Sequence, residues 1–210
     1  ITLKNKDTLI IDEFRLKCCI GRGNLKKNKI EGDGGTPVGK FELGTLYWRP
    51  DRVQKPNTKL FCKPINKKMG WCDDSKSKFY NREIKINKKI KFEKIYRNDY
   101  KYNYFILLKY NYVKPKKNKG SAIFIHLTKD YNKTAGCIAL SKKDFLILAK
   151  LVNKKSKMVM TAKPQFISNE ALVGEALNLM NKRKITSLFV CLNTKPFGIV
   201  HIHDLLRLSS

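Results

Sequence analysis

Cys137 closes the segment Thr134-Ala135-Gly136-Cys137, and His126 stands eleven residues before it. These residue types at this spacing suit nucleophilic chemistry. A cysteine attacks as the thiolate, so it needs a base nearby and a backbone that exposes sulfur while offering N–H donors to an oxyanion. Gly136 leaves the substrate side of the thiol open and admits an unusual backbone angle. The Thr134 hydroxyl can steady the loop. His126 ends the apolar run Ser121-Ala122-Ile123-Phe124-Ile125-His126, which would carry it on a rigid strand beside that loop. The residue types alone leave a plainer reading open. A solitary cysteine is commonly a small buried hydrophobe, and a solitary histidine a satisfied core or surface residue.

Two other patterns carry less chemistry. Gly34 to Lys40 has the outline of a phosphate-binding loop, but Phe41 stands where a metal-binding Ser or Thr is needed. Pro37 removes a backbone N–H that such a cradle would use. The glycines of this loop are read as suppliers of tight turns with positive φ. Six cysteines (Cys18, Cys19, Cys62, Cys72, Cys137 and Cys191) form no CxxC pair and no ligand spacing with the three histidines. No structural zinc site, and no cofactor, is expected. Cys18 and Cys19 would point to opposite faces of a strand, which makes at most one of them core. A Cys62–Cys72 disulfide is open to an oxidising compartment.

The elements that must position these residues are mostly strands. Thr8-Leu9-Ile10-Ile11 pairs with Phe14 to Ile20, and further strands are expected at Thr45–Trp48, Glu83–Ile86, Tyr104–Tyr110 and Ala122–His126. The polar stretches at residues 50–82 and 111–120 become surface loops or cleft walls. Ser141 with Asp144 forms a capping box with Asp for the preferred Glu, opening an apolar helix that ends near Val152. Residues 158–161 can form a strand, and Ser168 can cap a second helix. Strands at Ser187–Val190 and Gly198–His201, joined by a turn at Asn193 to Pro196, and a short helix from His203 complete a β-α-β-β-α order. That order describes a small α+β module distinct from the β-rich region.

Charge draws the same line. The chain carries 45 Lys and Arg against 17 Asp and Glu, a formal +28. Residues 157–210 account for only +4 of this, leaving +24 on the first 156. Only eight basic residues are Arg, and Lys is spread through nearly every segment. Base-reading and bidentate phosphate sites favour Arg, so specific nucleic-acid binding is not the reading. A Lys-rich solvated surface, with attraction to anionic polymers, is. No stretch approaches the roughly 18–20 apolar residues that span a bilayer. Residues 1–11 carry Lys4, Lys6 and Asp7 and no apolar h-region, so no signal peptide is read there.

His126 with Thr134-x-Gly136-Cys137 resembles the signature of the L,D-transpeptidase catalytic domain (YkuD) family. Glu31-Gly32-Asp33-Gly34-Gly35-Thr36-Pro37-Val38-Gly39-Lys40-Phe41, Trp48 to Arg52, Gly70 to Asp74, Tyr80-Asn81-Arg82 and Gly120 to Phe124 are similar to a bacterial subfamily of it. The likeness runs from about residue 8 to 158. It implies a mainly β chain, a β-sandwich with a catalytic cleft over residues 1–156, and an acyl-enzyme on Cys137. It also implies peptidoglycan stem peptides as substrate and a periplasmic or cell-envelope location. In the implied mechanism His126 takes the Cys137 proton, N–H groups around Gly136 and Cys137 hold the oxyanion, and a second amine resolves the thioester. Many members carry Arg two residues after the nucleophile, where this chain has Ala139. Arg49, Arg52 and Arg82 are the candidates to replace it, and Asp73 and Tyr80 are candidates to line the cleft.

Residues 157–210 bring a second resemblance. Met160 to Pro164, Ala176 to Met180, Ile185 to Val190 and Gly198 to Leu206 are similar to one CBS motif, as in the final repeat of arabinose-5-phosphate isomerases. CBS modules work in pairs and often bind adenosine nucleotides. Asp204 matches the ribose-contacting acid, while His201 replaces the usual Ser or Thr. A single copy implies a homodimer, unless the tail is a join of two unrelated genes. The rival reading of the whole is a non-enzymatic nucleotide-sensing or wall-binding protein with a degenerate site.

Overall fold

Apolar alternation sets up the first sheet. Strands β1 (Thr2–Lys4), β2 (Thr8–Ile11) and β3 (Phe14–Cys19) form an antiparallel meander. Leu9, Ile11, Leu16 and Cys18 turn inward, and Arg15 and Lys17 face solvent. Cys18 and Cys19 are both buried, against the expectation that only one would be. They do take opposite faces: Cys18 enters the main core, whereas Cys19 lies under the loop before Cys137 and donates from Sγ to the Asn132 carbonyl (3.1 Å).

This computed structural model describes residues 1–160, 165–183, 185–192 and 195–207. After β3 come β4 (Leu25–Lys26), β5 (Thr36–Pro37), β6 (Gly39–Trp48), β7 (Cys62–Pro64), β8 (Met69–Cys72), β9 (Glu83–Lys85) and β10 (Phe92–Lys94). Then follow β11 (Tyr104–Leu108), β12 (Phe124–Leu127), β13 (Ile138–Leu140), helix α1 (Lys142–Leu151) and β14 (Lys157–Met160). Strand β6 is ten residues long, far more than the Thr45–Trp48 expected. Its first part pairs with β14 and its second with β11 and β7. Strand β3 bridges likewise, pairing with β2 along most of its length and with β13 at Cys18 and Cys19. The nine-stranded sheet runs β11-β12-β13-β3-β2-β1-β14-β6-β7, and an added β11–β6 pairing folds it back on itself as a sandwich.

Leu9, Leu46, Ile106, Ile125, Ile138 and Phe145 fill its interior, each burial worth about 1.5–3 kcal/mol. Helix α1 covers one side with Phe145, Leu148 and Ala149, one apolar stripe at helical spacing. The Ser141 hydroxyl caps it by accepting from the Asp144 N–H (3.1 Å). Strand β14 joins β1 in parallel and β6 antiparallel, so the first unit runs to residue 162 rather than stopping at 156.

A second cluster forms outside the sandwich. Strands β10-β8-β9 make a three-stranded sheet. Buried Trp71 on β8 meets Phe124 edge-on (5.1 Å between ring centres), and Phe105 stacks on Tyr47 (4.5 Å). Cys62 and Cys72 are both free thiols, so the disulfide considered for them is not formed.

The second unit spans residues 163–210. It contains β15 (Phe166–Ser168), α2 (Val173–Arg183), β16 (Ser187–Leu192), β17 (Lys195–His201) and α3 (Ile202–Arg207). The β-α-β-β-α order holds, but its first strand is β15. Ser168 therefore ends a strand instead of capping a helix, and its hydroxyl accepts from the Glu170 N–H (3.2 Å). Ala176, Met180, Leu188 and Leu205 form its own small core. Residues 161–164 and part of the turn at 193–196 lie outside the described residues. Among the described residues no helix is long and apolar enough to cross a membrane.

Candidate active site

Strands β12 and β13 are parallel neighbours, with Ile125 opposite Ile138 and His126 opposite Ala139. Strand alternation then divides their side chains. Ile123, Ile125, Leu127, Ile138 and Leu140 enter the main core. His126, Cys137 and Ala139 face the other way, into a cleft of about 410 Å³ shared with Lys29, Glu93 and Tyr102.

The thiol is held at rest as a thiol. Cys137 Sγ donates to the Ala122 carbonyl and accepts from the Phe124 N–H, both at 3.3 Å. Burial pushes Cys137 up to about 12, and the Glu93 carboxylate adds to that. The Phe124 N–H, the Lys29 ammonium and the Tyr102 hydroxyl act in the opposite direction. His126 Nδ1 lies 2.9 Å from the Leu127 carbonyl. A carbonyl only accepts, so that nitrogen carries the proton and Nε2 is the basic one. Burial brings His126 down to about 4; the Leu127 carbonyl opposes this, and Lys101 and Arg97 reinforce it. Thiol and imidazole are both neutral near pH 7.

Thr134 and the glycine-rich loop shape the backbone at Cys137. The Thr134 hydroxyl donates to the Cys137 carbonyl (2.6 Å) and accepts from the Gly136 N–H (3.1 Å). The Gly136 N–H, expected among the oxyanion donors, is thus already committed. Gly136 has φ +140°, and a Cβ there would sit 2.9 Å from the Gly35 carbonyl oxygen. The Thr36 hydroxyl donates to the Gly136 carbonyl (2.8 Å) and accepts from the Gly21 N–H (2.9 Å). The segment read as a turn supplier also braces the backbone beside Cys137.

The other expected residues divide. Asp73 lines the cleft, and its Oδ1 is buried with no hydrogen-bond partner among the described residues. Burial raises its carboxyl against the pull of Lys91, with Glu31 and Asp74 adding to the rise. Tyr80 stands one bond back. It donates to Glu31, whose Oε2 also accepts from Ser121 Oγ (2.7 Å), and Glu31 and Ser121 are the groups in the cleft. Arg49, Arg52 and Arg82 are elsewhere. Arg49 is buried, bound twice by Asp51 (2.8 and 2.7 Å) and stacked over Tyr96. Arg52 donates to the Asp99 carbonyl, and Arg82 to the carbonyls of Tyr112 and Val113. Their fork of donors satisfies loop carbonyls instead of a ligand. The cations that do line the cleft include Lys29, Arg97, Lys101 and Lys133. Reasoning from sequence missed Lys29, Arg97, Lys101, Tyr102 and Glu93; the lysines stand among many like them, and nothing local marks the others.

In the second unit Asp204 Oδ2 accepts from the His201 N–H (3.1 Å), and the His201 and His203 rings lie parallel 6.0 Å apart.

A sandwich with a buried Cys–His pair at the floor of a cleft defines the class of protein. Residues 3–160 match the family model described as the L,D-transpeptidase catalytic domain, and the chain belongs to that family. Residues 156–210 match the CBS domain model. A curated protein of Rickettsia prowazekii (strain Madrid E), described as uncharacterized protein RP505, is 42% identical over 55 residues, which cover 26% of this chain and 17% of that protein. The match thus takes in only a small part of that relative. No solved structure matches the chain. The family carries L,D-transpeptidase-type activity and is typically of the cell envelope.

Proposed function

We propose that the chain transfers acyl groups between peptidoglycan stem peptides through a thioester on Cys137, in the periplasm or cell envelope. The observation that carries this reading is the presence of Cys137 and His126 on one face of adjacent parallel strands, opening into one cleft. In the first half-reaction His126 Nε2 takes the Sγ proton as sulfur attacks the donor carbonyl. The C–S bond forms, the oxyanion collapses, the C–N bond breaks and the departing amine takes the proton from His126. In the second, an amine of another stem attacks the thioester and releases the thiol. Water in place of that amine gives carboxypeptidase activity. Lys101 supplies positive charge for the donor's carboxylates beside His126, where Ala139 replaces the family's arginine, and Arg97, held by Asp99, stands behind it.

The test is incubation with a tetrapeptide donor or a carbapenem, followed by intact mass measurement. An adduct on the wild type that Cys137→Ser abolishes is expected. No adduct on either overturns the reading and leaves a degenerate, binding-only site.

For the CBS module we propose an adenosine nucleotide as ligand, with Asp204 at the ribose and a homodimer completing the site. Calorimetry with AMP, ADP and ATP at millimolar concentration should give heat, and its absence removes the assignment.

A further inference from the structure

The chain has 37 lysines, and among the described residues only Lys4 and Lys29 are buried. An ammonium is withdrawn from water at considerable cost unless it is paired. Lys29 is paired, and it is also aimed. Its Nζ lies 2.6 Å from Asp33 Oδ1, and that carboxylate is fixed by the N–H groups of Ile30 (2.9 Å) and Gly35 (2.8 Å). Its stem crosses Gly120, where a Cβ would fall 2.7 Å from Lys29 Cε. Beyond that gap the ammonium sits 3.6 Å from where a Cβ of Gly136 would be, beside the nucleophile. Lys29 lines the same cleft as Cys137.

Two features say what a cation there is for. The Gly136 N–H is committed to Thr134, so the oxyanion has one fewer of its expected N–H donors and gains from positive charge nearby. The groups that face Cys137 are also unfavourable to a thiolate: the Glu93 carboxylate with its Tyr102 partner on one side, and a neutral His126 on the other. Lys29 is the charge that opposes them. Its three protons exceed the one that Asp33 accepts.

Resting on the acyl-transfer reading above, we propose that Lys29, oriented by Asp33, is the cation that stabilises the Cys137 thiolate and the oxyanion formed when that thiolate attacks. The thiol proton goes to His126; Lys29 keeps its own protons throughout and supplies field and hydrogen bonds. A pair that merely stapled the glycine-rich loop would have the same distances, so the test turns on the sign of charge.

The full-length chain is alkylated with iodoacetamide between pH 7 and 10, and the rate at Cys137 is read by peptide mass. Lys29→Met should react about tenfold more slowly at each pH, as loss of a nearby cation weakens a thiol's acidity by about that factor. Lys29→Arg should stay near wild type. Asp33→Asn leaves the ammonium uncompensated and should react faster. Equal rates for Lys29→Met and wild type overturn the proposal, as do faster rates in both Lys29→Met and Asp33→Asn, the mark of a loosened loop. Should Lys29→Met not fold, Lys29→Gln takes its place with the same expectation, and an unchanged or slower rate in Asp33→Asn also refutes the proposal. Carbapenem acylation is measured in parallel. A wild type that shows the Lys29-dependent alkylation but no acylation refutes the acyl-transfer reading and with it the oxyanion role, while stabilisation of the thiolate by Lys29 stands.

Discussion

Acidification should destabilise the catalytic unit through His126 in particular. The ring is buried and its folded value is brought from 6.5 down to about 4. The unfolded chain therefore binds a proton that the folded chain refuses throughout that window. Stability is fully present above about pH 6.5 and is lost as pH falls towards 4. The ceiling of the effect is about 3 kcal/mol, at about 1.4 kcal/mol for each tenfold change in proton affinity. At pH 4.5 most of it, about 2.5 kcal/mol, should already be gone. The ion-paired carboxyls of Asp33 and Asp99 lie below their usual range and weaken the fold in the same direction on acidification. The comparison must therefore be between wild type and His126→Gln, which keeps the carboxylates and removes the imidazole. Trp48 and Trp71 are the only two tryptophans, and both belong to the first unit, so tryptophan fluorescence in urea reports that unit without the CBS module. Wild type should lose about 2.5 kcal/mol more than His126→Gln between pH 8 and pH 4.5. Equal losses in the two chains would refute the account of a buried, neutral base.

Three further substitutions probe the frame around the pair. Gly136→Ala places a Cβ 2.9 Å from the Gly35 carbonyl at φ +140°, a strain of about 1–3 kcal/mol. Misplacing the nucleophile should cut carbapenem acylation by about a hundredfold, and a rate within a few-fold of wild type would contradict this. Asn81→Ala removes a buried amide that accepts from Trp71 Nε1 and the Ala122 N–H (both 3.0 Å) and donates to the carbonyls of Tyr110 (3.0 Å) and Asn111 (2.7 Å). Urea unfolding should show a loss of about 3 kcal/mol or more, and a loss below about 1 kcal/mol would count against the hub. Ser141→Ala deletes the α1 cap and should cost about 1 kcal/mol without changing the Cys137 alkylation rate, a pairing of results that a cap remote from the site requires.

What the chain declares locally was legible, and what it assembles from afar was not. The run ending at His126 and the Thr134 to Cys137 turn are short-range patterns, and strand alternation is enough to put both side chains on one face. Ser141 and Asp144 state the start of α1 within four residues. Strand β6 was read at less than half its length because the alternation of Lys40 to Leu43 is short and bounded by Gly39 and Gly44, and pairing with β14 makes that part a strand. The Ser168 cap failed because a parallel partner, β16, claimed the residue for a sheet. Arg49 and Arg82 looked like binders through their type and their place in a motif. Their guanidinium groups were taken by a carboxylate and by loop carbonyls that are close only in the folded chain. Lys29 and Glu93 were invisible for the converse reason: their place in the folded cleft, not sequence context, sets them apart from many similar charges.

The two charges that the reaction needs are each disfavoured by the cleft. Burial raises the thiol from 9 to about 12 and lowers the imidazole from 6.5 to about 4. Neither the thiolate nor the imidazolium is therefore favoured on its own at neutral pH. In the acyl-transfer reading the thiolate is a minor species, and its charge passes through sulfur to the acyl oxygen on attack. Stabilisation matters most where that charge arrives, beside Gly136 and Cys137. A fixed cation at that point favours first the thiolate and then the oxyanion, while burial keeps most of the resting Cys137 protonated.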